Sequence, residues 1–430
     1  MIANVDVVVS ILMSMAVLRV QKLEVVVIHI PENIYNKISF IVGSPNRVSN
    51  TPTIVFNDLR INFLSDLSTI LLKDTAIREL PDVSTFAFWC RKANLVKLFN
   101  DMNDNRLLLG VGLVFHISPS NVPVNFAFSL VFAFLAGNSS VVRLPSKESA
   151  SASAIIEALL KLLKIARYSK LAPFINLIKF EHDDDINKFW LSEADARVIW
   201  GGDKTVDYMR SFKSKPKSRE VTFPDRYSIC VMNPTKLLDS SDTEFKALCM
   251  NLFNDIYLMD QHACTSPQLL VWVGSNSDIK YAKEKFWPKF FEYVEKKYTI
   301  EPIHVMDKYV DACKNILTND NVKKIKKQKN LIYNIELSHL QDRQQYQRGY
   351  FGTIHEVSLE SLDNMSKIIN SRFQTLTYYG FNVRTMRKFV ENNNLRGIDR
   401  IVPVGRSLEM GVIWDGYNVV QHLSRIVDIK

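Results

Sequence analysis

The chain has 430 residues, 47% of them hydrophobic and 23% charged, so it is long enough for two or three packed domains and is neither collagen-like, disordered nor a disulfide scaffold. A net charge of +9 raises nucleic acid as a partner, but the densest basic run, Lys323 to Lys329, reads as a solvated loop, and no nucleic-acid motif accompanies it. Glycine is scarce, with 14 residues against a usual share of roughly 7%, so each glycine is expected to answer a local backbone need.

At the N-terminus, Val7 to Leu18 is apolar but only about twelve residues long, short of the roughly twenty that a bilayer helix requires. Leu107 to Val142 contains no Lys, Arg, Asp or Glu, yet Ser118-Pro119-Ser120-Asn121-Val122-Pro123 breaks it. The apolar helix left over, Phe126 to Leu135, is of buried-core length. No membrane span and a cytoplasmic location are therefore expected. Five cysteines without a CxxC pair fit a reducing compartment, with neither a disulfide framework nor a metal site.

From residue 107 onward, short apolar runs alternate with helix-period segments. Leu107 to Ile117 reads as a strand, Phe126 to Leu135 as a helix and Ser140 to Leu144 as a strand. An amphipathic helix over Ser149 to Ile165 follows, with Ile155, Ile156, Leu159, Leu160 and Leu163 at helical spacing. Ile175 to Phe180 and Ala196 to Trp200 are predicted strands, and Asp203 to Phe212 a helix. Beyond Phe223-Pro224-Asp225-Arg226 come a strand (Tyr227 to Met232), a helix (Asp242 to Met259), a polar loop (Asp260 to Pro267), a strand (Leu269 to Val273) and a helix (Asp278 to Lys297). Asn315 to Tyr346 is polar and shows no clear period. Strands joined by helix-length connections imply βαβ units and parallel sheets.

Three stretches carry chemistry. Met259-Asp260-Gln261-His262-Ala263-Cys264-Thr265-Ser266-Pro267 sets a thiol between a helix end and a strand, where a thiolate could meet a substrate. Phe115 to Pro123 joins a strand to the apolar helix and is followed by Ala136-Gly137-Asn138, Val141-Val142-Arg143-Leu144 and Pro145-Ser146-Lys147. Val198-Ile199-Trp200-Gly201-Gly202-Asp203-Lys204-Thr205 runs from a strand through two glycines into a helix, where free N–H groups can meet a phosphate.

In this order the three stretches resemble the aldehyde dehydrogenase superfamily, and most closely its LuxC-type long-chain acyl-CoA reductases. Asp260-Gln261-His262-Ala263-Cys264-Thr265-Ser266-Pro267 is similar to that family's Asp-Gln-x-Ala-Cys-Ser-Ser-Pro. Asp399 to Arg406, with Ile413-Trp414-Asp415-Gly416-Tyr417, resembles its closing signature. The resemblance covers about residues 107–425. It implies an α/β fold of two Rossmann-type parallel-sheet domains facing a cleft: an NADP-binding domain over 1–224, its first 80 residues poorly matched, and a catalytic domain over 225–404. A C-terminal segment over 405–430 is expected to run back toward the cofactor domain.

The resemblance assigns Cys264 as the nucleophile that forms an acyl thioester, and Asn121 as the oxyanion donor. It places Gly201, Gly202, Asp203 and Lys204 at the cofactor's phosphates, and Lys147 with Arg143 beside the adenosine ribose. A lysine there favours a 2′-phosphate, hence NADPH. Asp203 departs from the usual serine and is read as a helix N-cap. His262 is read as a solvated loop side chain, with a lesser claim to activating Cys264. The water-activating glutamate of hydrolytic relatives is absent from Val221-Thr222-Phe223-Pro224-Asp225, with Glu220 one place out of register. Gly349-Tyr350-Phe351-Gly352 lacks the glutamate that binds the nicotinamide ribose.

The implied function is NADPH-dependent reduction of a long-chain acyl group to the aldehyde. The acyl donor is a fatty acyl-CoA or an acyl-activating synthetase or transferase partner, and the expected assembly is a homo-oligomer or multi-enzyme complex. The rivals are a hydrolytic aldehyde dehydrogenase and a non-catalytic subunit of a biosynthetic complex.

Overall fold

The computed structural model describes residues 26–102, 106–119 and 122–430. Its chain builds two α/β layers around two sheets. The first sheet has the order β1 (Ser39–Val42), β5 (Ile175–Lys179), β4 (Ser139–Arg143), β3 (Leu113–Ile117), β6 (Ala196–Trp200) and β7 (Arg219–Phe223), parallel except for β1. The second has the order β10 (Val322–Gln328), β11 (Ile332–Leu337), β12 (Thr353–Leu359), β9 (Pro267–Val273), β8 (Tyr227–Met232), β13 (Phe373–Tyr379) and β14 (Arg400–Pro403), parallel except for β10. Only Pro224, Asp225 and Arg226 separate β7 from β8.

The largely apolar helix, Asn125–Leu135, is buried from Phe126 to Leu135, with the Ser129 hydroxyl hydrogen-bonded to His116 and Trp200. Phe134 meets Phe63 of the Asp58–Lys73 helix, while Phe128 and Phe132 pack edge-on against Phe86 and Trp89 of the Pro81–Trp89 helix. Among the described residues, no helix is long and apolar enough to cross a membrane. Val7 to Leu18 lies outside the described residues.

Two expectations are corrected. Leu107 to Ile117 is two strands, because Gly112 turns the chain at φ +133° and the Asn138 side chain accepts from the Val111 and Gly112 N–H groups. β2 (Leu107–Gly110) thereby leaves the first sheet and pairs antiparallel with β17 (Ser424–Val427). The basic run is not a loop but β10, the edge strand of the second sheet. Val322 and Ile325 pack against the sheet while Lys323, Lys324, Lys326 and Lys327 stay exposed, and lysines on an edge discourage the addition of a further strand.

Candidate functional site

A cleft of about 1030 Å³ lies between the two sheets. The first sheet offers it the carboxyl ends of β3, β4, β6 and β7, and the second the amino ends of β9, β12 and β13. Ligands of open α/β sheets bind at strand carboxyl ends, where loops and helix N-termini converge.

Cys264 lies on this wall, half-buried in the turn before β9. The turn is held by its neighbours. Asp260 and Gln261 adopt φ +50° and +60°, a conformation that non-glycine residues keep only when the surroundings enforce it. The buried Gln261 amide supplies that enforcement, donating to the Pro267 and Thr353 carbonyls at 3.0 and 3.1 Å and accepting from the Gly352 N–H at 2.9 Å. The Phe351 N–H donates to the Asp260 carbonyl, and the Ser228 hydroxyl to the Cys264 carbonyl at 2.7 Å. The Gly349 to Gly352 stretch is thus a brace for the cysteine turn, and Tyr350 reaches the cleft.

Burial pushes the Cys264 thiol up to about 12, and the Asp415 carboxylate adds to the push, while Gln374 and Arg348 oppose it. The resting group is therefore a thiol. His262 is not the solvated side chain expected from its loop. It is half-buried, stacked on Tyr350 at 4.7 Å between ring centroids and edge-on to Phe351, because the brace packs directly over it. Burial lowers its pKa, so the ring is neutral near pH 7 and brings no positive charge to the thiol.

Across the cleft, β6 ends at Gly201-Gly202 and the Asp203–Arg210 helix begins. Asp203 is not the N-cap. Gly202 occupies that position, and the Asp203 carboxylate in the first turn is bound by Arg372, which reaches over from the start of β13. A first-turn carboxylate also suits the helix dipole, so the helix needs no side-chain cap. Gly202 has an ordinary φ of −64°, and a Cβ built on it meets nothing within 4 Å. Neither strain nor internal packing demands glycine there; the position leaves room at an uncapped helix N-terminus, the kind of cradle a dinucleotide's phosphates occupy. Lys204, Lys147 and Arg143 line the same wall, Arg143 resting on the Phe180 ring at 4.4 Å. These residues suit a nicotinamide dinucleotide. Asn121 lies outside the described residues.

Glu220 lies away from the cleft, held by Arg197 at 2.7 Å and Arg210 at 2.6 Å. The tertiary structure adds groups that the sequence reading gave no role. Arg348 pairs with Asp225 at 3.1 Å, and Arg226 Nε meets both oxygens of Asp415 at 3.2 Å. Gln374 and Arg372 sit at the start of β13. Only Asp415 had a signal: Asp-Gly between Trp414 and Tyr417 is a two-residue hairpin turn, and both its residues have positive φ. The others are single polar side chains in no motif.

A cleft between two α/β layers, faced by a cysteine turn and a glycine-opened helix N-terminus, defines an aldehyde dehydrogenase-like fold. The oxidoreductase from Marinobacter aquaeolei superposes with a TM-score of 0.61 at 11% identity, over 92% of this chain and 98% of that one. The succinic semialdehyde dehydrogenase from Streptococcus pyogenes gives 0.61 at 12% identity, over 87% and 91%. A family model for acyl-CoA reductase (LuxC) matches residues 100–426, and the chain belongs to that family. A long-chain acyl-protein thioester reductase of Aliivibrio fischeri is 22% identical over 331 residues, 74% of this chain and 63% of that protein. A second such protein, of Photobacterium leiognathi, is 25% identical over 168 residues, 38% and 32% of the two chains. The chain thus aligns with less than two thirds of the length of these curated relatives.

Proposed function

We propose that the protein reduces an activated long-chain acyl group to the fatty aldehyde through a thioester on Cys264, with NADPH as reductant. The observation that carries this reading is Cys264 facing the Gly202 helix N-terminus across one cleft, while Asp203, Asp225, Asp415 and Glu220 of the described residues are each held by an arginine. Glu220 is locked away, Asp225 is paired with Arg348, and both Asp415 oxygens are engaged by Arg226.

The acyl donor, an acyl-CoA or an acyl-protein thioester of the kind named in the relatives, gives its acyl group to the Cys264 sulfur and leaves as a thiol. Asn121 donates to the carbonyl oxygen as charge develops on it. Gly201, Gly202, Asp203 and Lys204 line the phosphate site, and Lys147 with Arg143 favour a 2′-phosphate by charge. The bound dinucleotide supplies the hydride. Val122, Val124, Phe128, Met410 and Trp414 give the cleft an apolar flank for the acyl chain.

Acyl trapping tests the first step. Labelled long-chain acyl-CoA should leave label on the wild type and none on Cys264→Ala; equal labelling of both would remove Cys264 from the mechanism. A hydrolytic enzyme would instead turn aldehyde and NAD(P)+ into acid without CoA.

A further inference from the structure

The second sheet meets the catalytic cleft with the amino ends of its strands, and toward the opposite end it has a cavity of its own, of about 560 Å³. The Asn276–Lys297 helix lines one side and β10 with β11 the other, and Ser358 of β12 also lines it. Asn276 comes just after β9, and Glu336 and Ser358 are next to last in β11 and β12. The cavity therefore reaches the carboxyl ends of parallel strands, where ligands of α/β sheets bind. β9 and β12 are each seven residues long, so this end lies a strand length, roughly 20 Å, from the Cys264 turn.

Its polar groups are unevenly satisfied. Four lysines line it, Lys280, Lys283, Lys323 and Lys326, with two carboxylates, Glu284 and Glu336. Lys283 lies 3.5 Å from Glu336 and 3.2 Å from the buried Glu356, and Lys323 lies 3.7 Å from Glu336. Glu356 also accepts from the Trp272 and Trp287 indoles at 3.0 and 3.1 Å. These charges offset one another, whereas Lys280 and Lys326 make no ion pair among the described residues.

The Asn334 amide lines the same cavity. The residue is 3% exposed, and neither its Nδ2 nor its Oδ1 has a hydrogen-bond partner; Gln328 Oε1, also in the lining, is buried and unmet as well. An amide buried with both groups unmet costs folding free energy. In the β10–β11 ladder Asn334 stands directly opposite Lys326, so the unmet amide and an unpaired cation share one face of the sheet.

We propose that this cavity binds a phosphorylated small molecule of mononucleotide size, with Lys280 and Lys326 on its phosphate and the Asn334 amide on a neutral donor–acceptor edge such as adenine's. A primary amide sets a donor beside an acceptor, the pattern that pairs bidentately with adenine. Ile279, Trp287 and Ile332 supply apolar surface for the rest of the ligand, and the volume is that of a small-molecule site. Free phosphate would answer the lysines and leave the amide unmet. The site is separate from the cofactor cleft, and the proposal does not depend on the role of Cys264.

Equilibrium dialysis of the full chain with labelled AMP is the test, with ribose 5-phosphate as a competitor that lacks the base. AMP should bind saturably at a site that Lys147→Glu, in the cofactor cleft, leaves in place. Asn334→Leu should weaken that binding roughly tenfold, and so should Lys280→Ser combined with Lys326→Ser, as expected for losing hydrogen bonds of this kind. Ribose 5-phosphate should compete roughly tenfold less well than AMP, because it cannot engage the amide. Asn334→Leu should melt no lower than wild type, since it replaces unmet polar atoms by an apolar group of similar volume.

The proposal falls if AMP shows no saturable binding up to about 1 mM, or if its binding survives both Asn334→Leu and the paired lysine substitutions. Binding abolished by Lys147→Glu would assign AMP to the cofactor cleft and overturn it equally, as would ribose 5-phosphate competing as well as AMP. If Asn334→Leu fails to fold, the lysine variant, changed at exposed positions, decides the question.

Discussion

Lys147 and Cys264 show how far a residue type predicts behaviour before its surroundings are known. A cysteine in a polar turn suggests a thiolate, but the turn is packed under Tyr350 and Phe351, and the resting sulfur is protonated. Its cleft neighbours include Gln374 from β13 and Asp415 from the C-terminal hairpin. Lys147, in contrast, is exposed on the cleft wall, and the role in cofactor choice proposed for it rests on charge alone. Lys147→Glu should raise the KM for NADPH roughly tenfold or more, the loss of about one charge-assisted hydrogen bond, and change that for NADH little. Steady-state kinetics with both dinucleotides check this; an equal effect on both would place Lys147 away from the 2′-phosphate.

At the scale of elements, most of the strands and helices were legible because each carries a consistent period. Ala196–Trp200 and Tyr227–Met232 are strands over the predicted residues, and the largely apolar helix is buried as its composition demands. Failures fell where tertiary contacts overrode local pattern. A run of lysines reads as a solvated loop until its Val322 and Ile325 find β11 and the sheet beneath. Leu107 to Ile117 reads as one strand until Asn138, 26 residues beyond Gly112, draws the Val111 and Gly112 N–H groups into a turn.

The Asp203–Arg210 helix yields a separable prediction. Since the Gly202 Cβ position is open and its φ is ordinary, Gly202→Ala should leave the melting temperature within about a degree, as expected for a surface change of under ~0.5 kcal/mol. Cofactor affinity, measured by NADPH fluorescence titration, should fall several-fold. A variant that binds NADPH as well as wild type would empty the cradle of its meaning.

At the scale of the whole molecule, the C-terminal segment runs from the second sheet back to the first layer. β17 pairs with β2, the Asn138 side chain donates to the Leu423 carbonyl at 2.8 Å, and Arg219 donates to the His422 and Ser424 carbonyls at 2.7 and 2.5 Å. Between these contacts and the second sheet, the same segment delivers Trp414 and Asp415 to the cleft. Deleting residues 405–430 should therefore destabilise the first layer by several kcal/mol as well as abolish activity, since buried Val419, Val420 and Leu423 are lost from its core. Thermal unfolding followed at the tryptophans checks it; an unaltered transition would make the segment a mere appendage.

The sequence by itself determined the parallel α/β layers, the cysteine turn, the glycine-opened helix start and the family resemblance, because those are written in contiguous residues whose period and turn chemistry act locally. Only the tertiary structure decided that Arg372 neutralises Asp203, that the Gly349 to Gly352 brace covers His262, and that Arg348, Gln374 and Asp415 line the same cleft as Cys264. These groups lie far apart along the chain, and their charges act through space and burial, which no local pattern encodes.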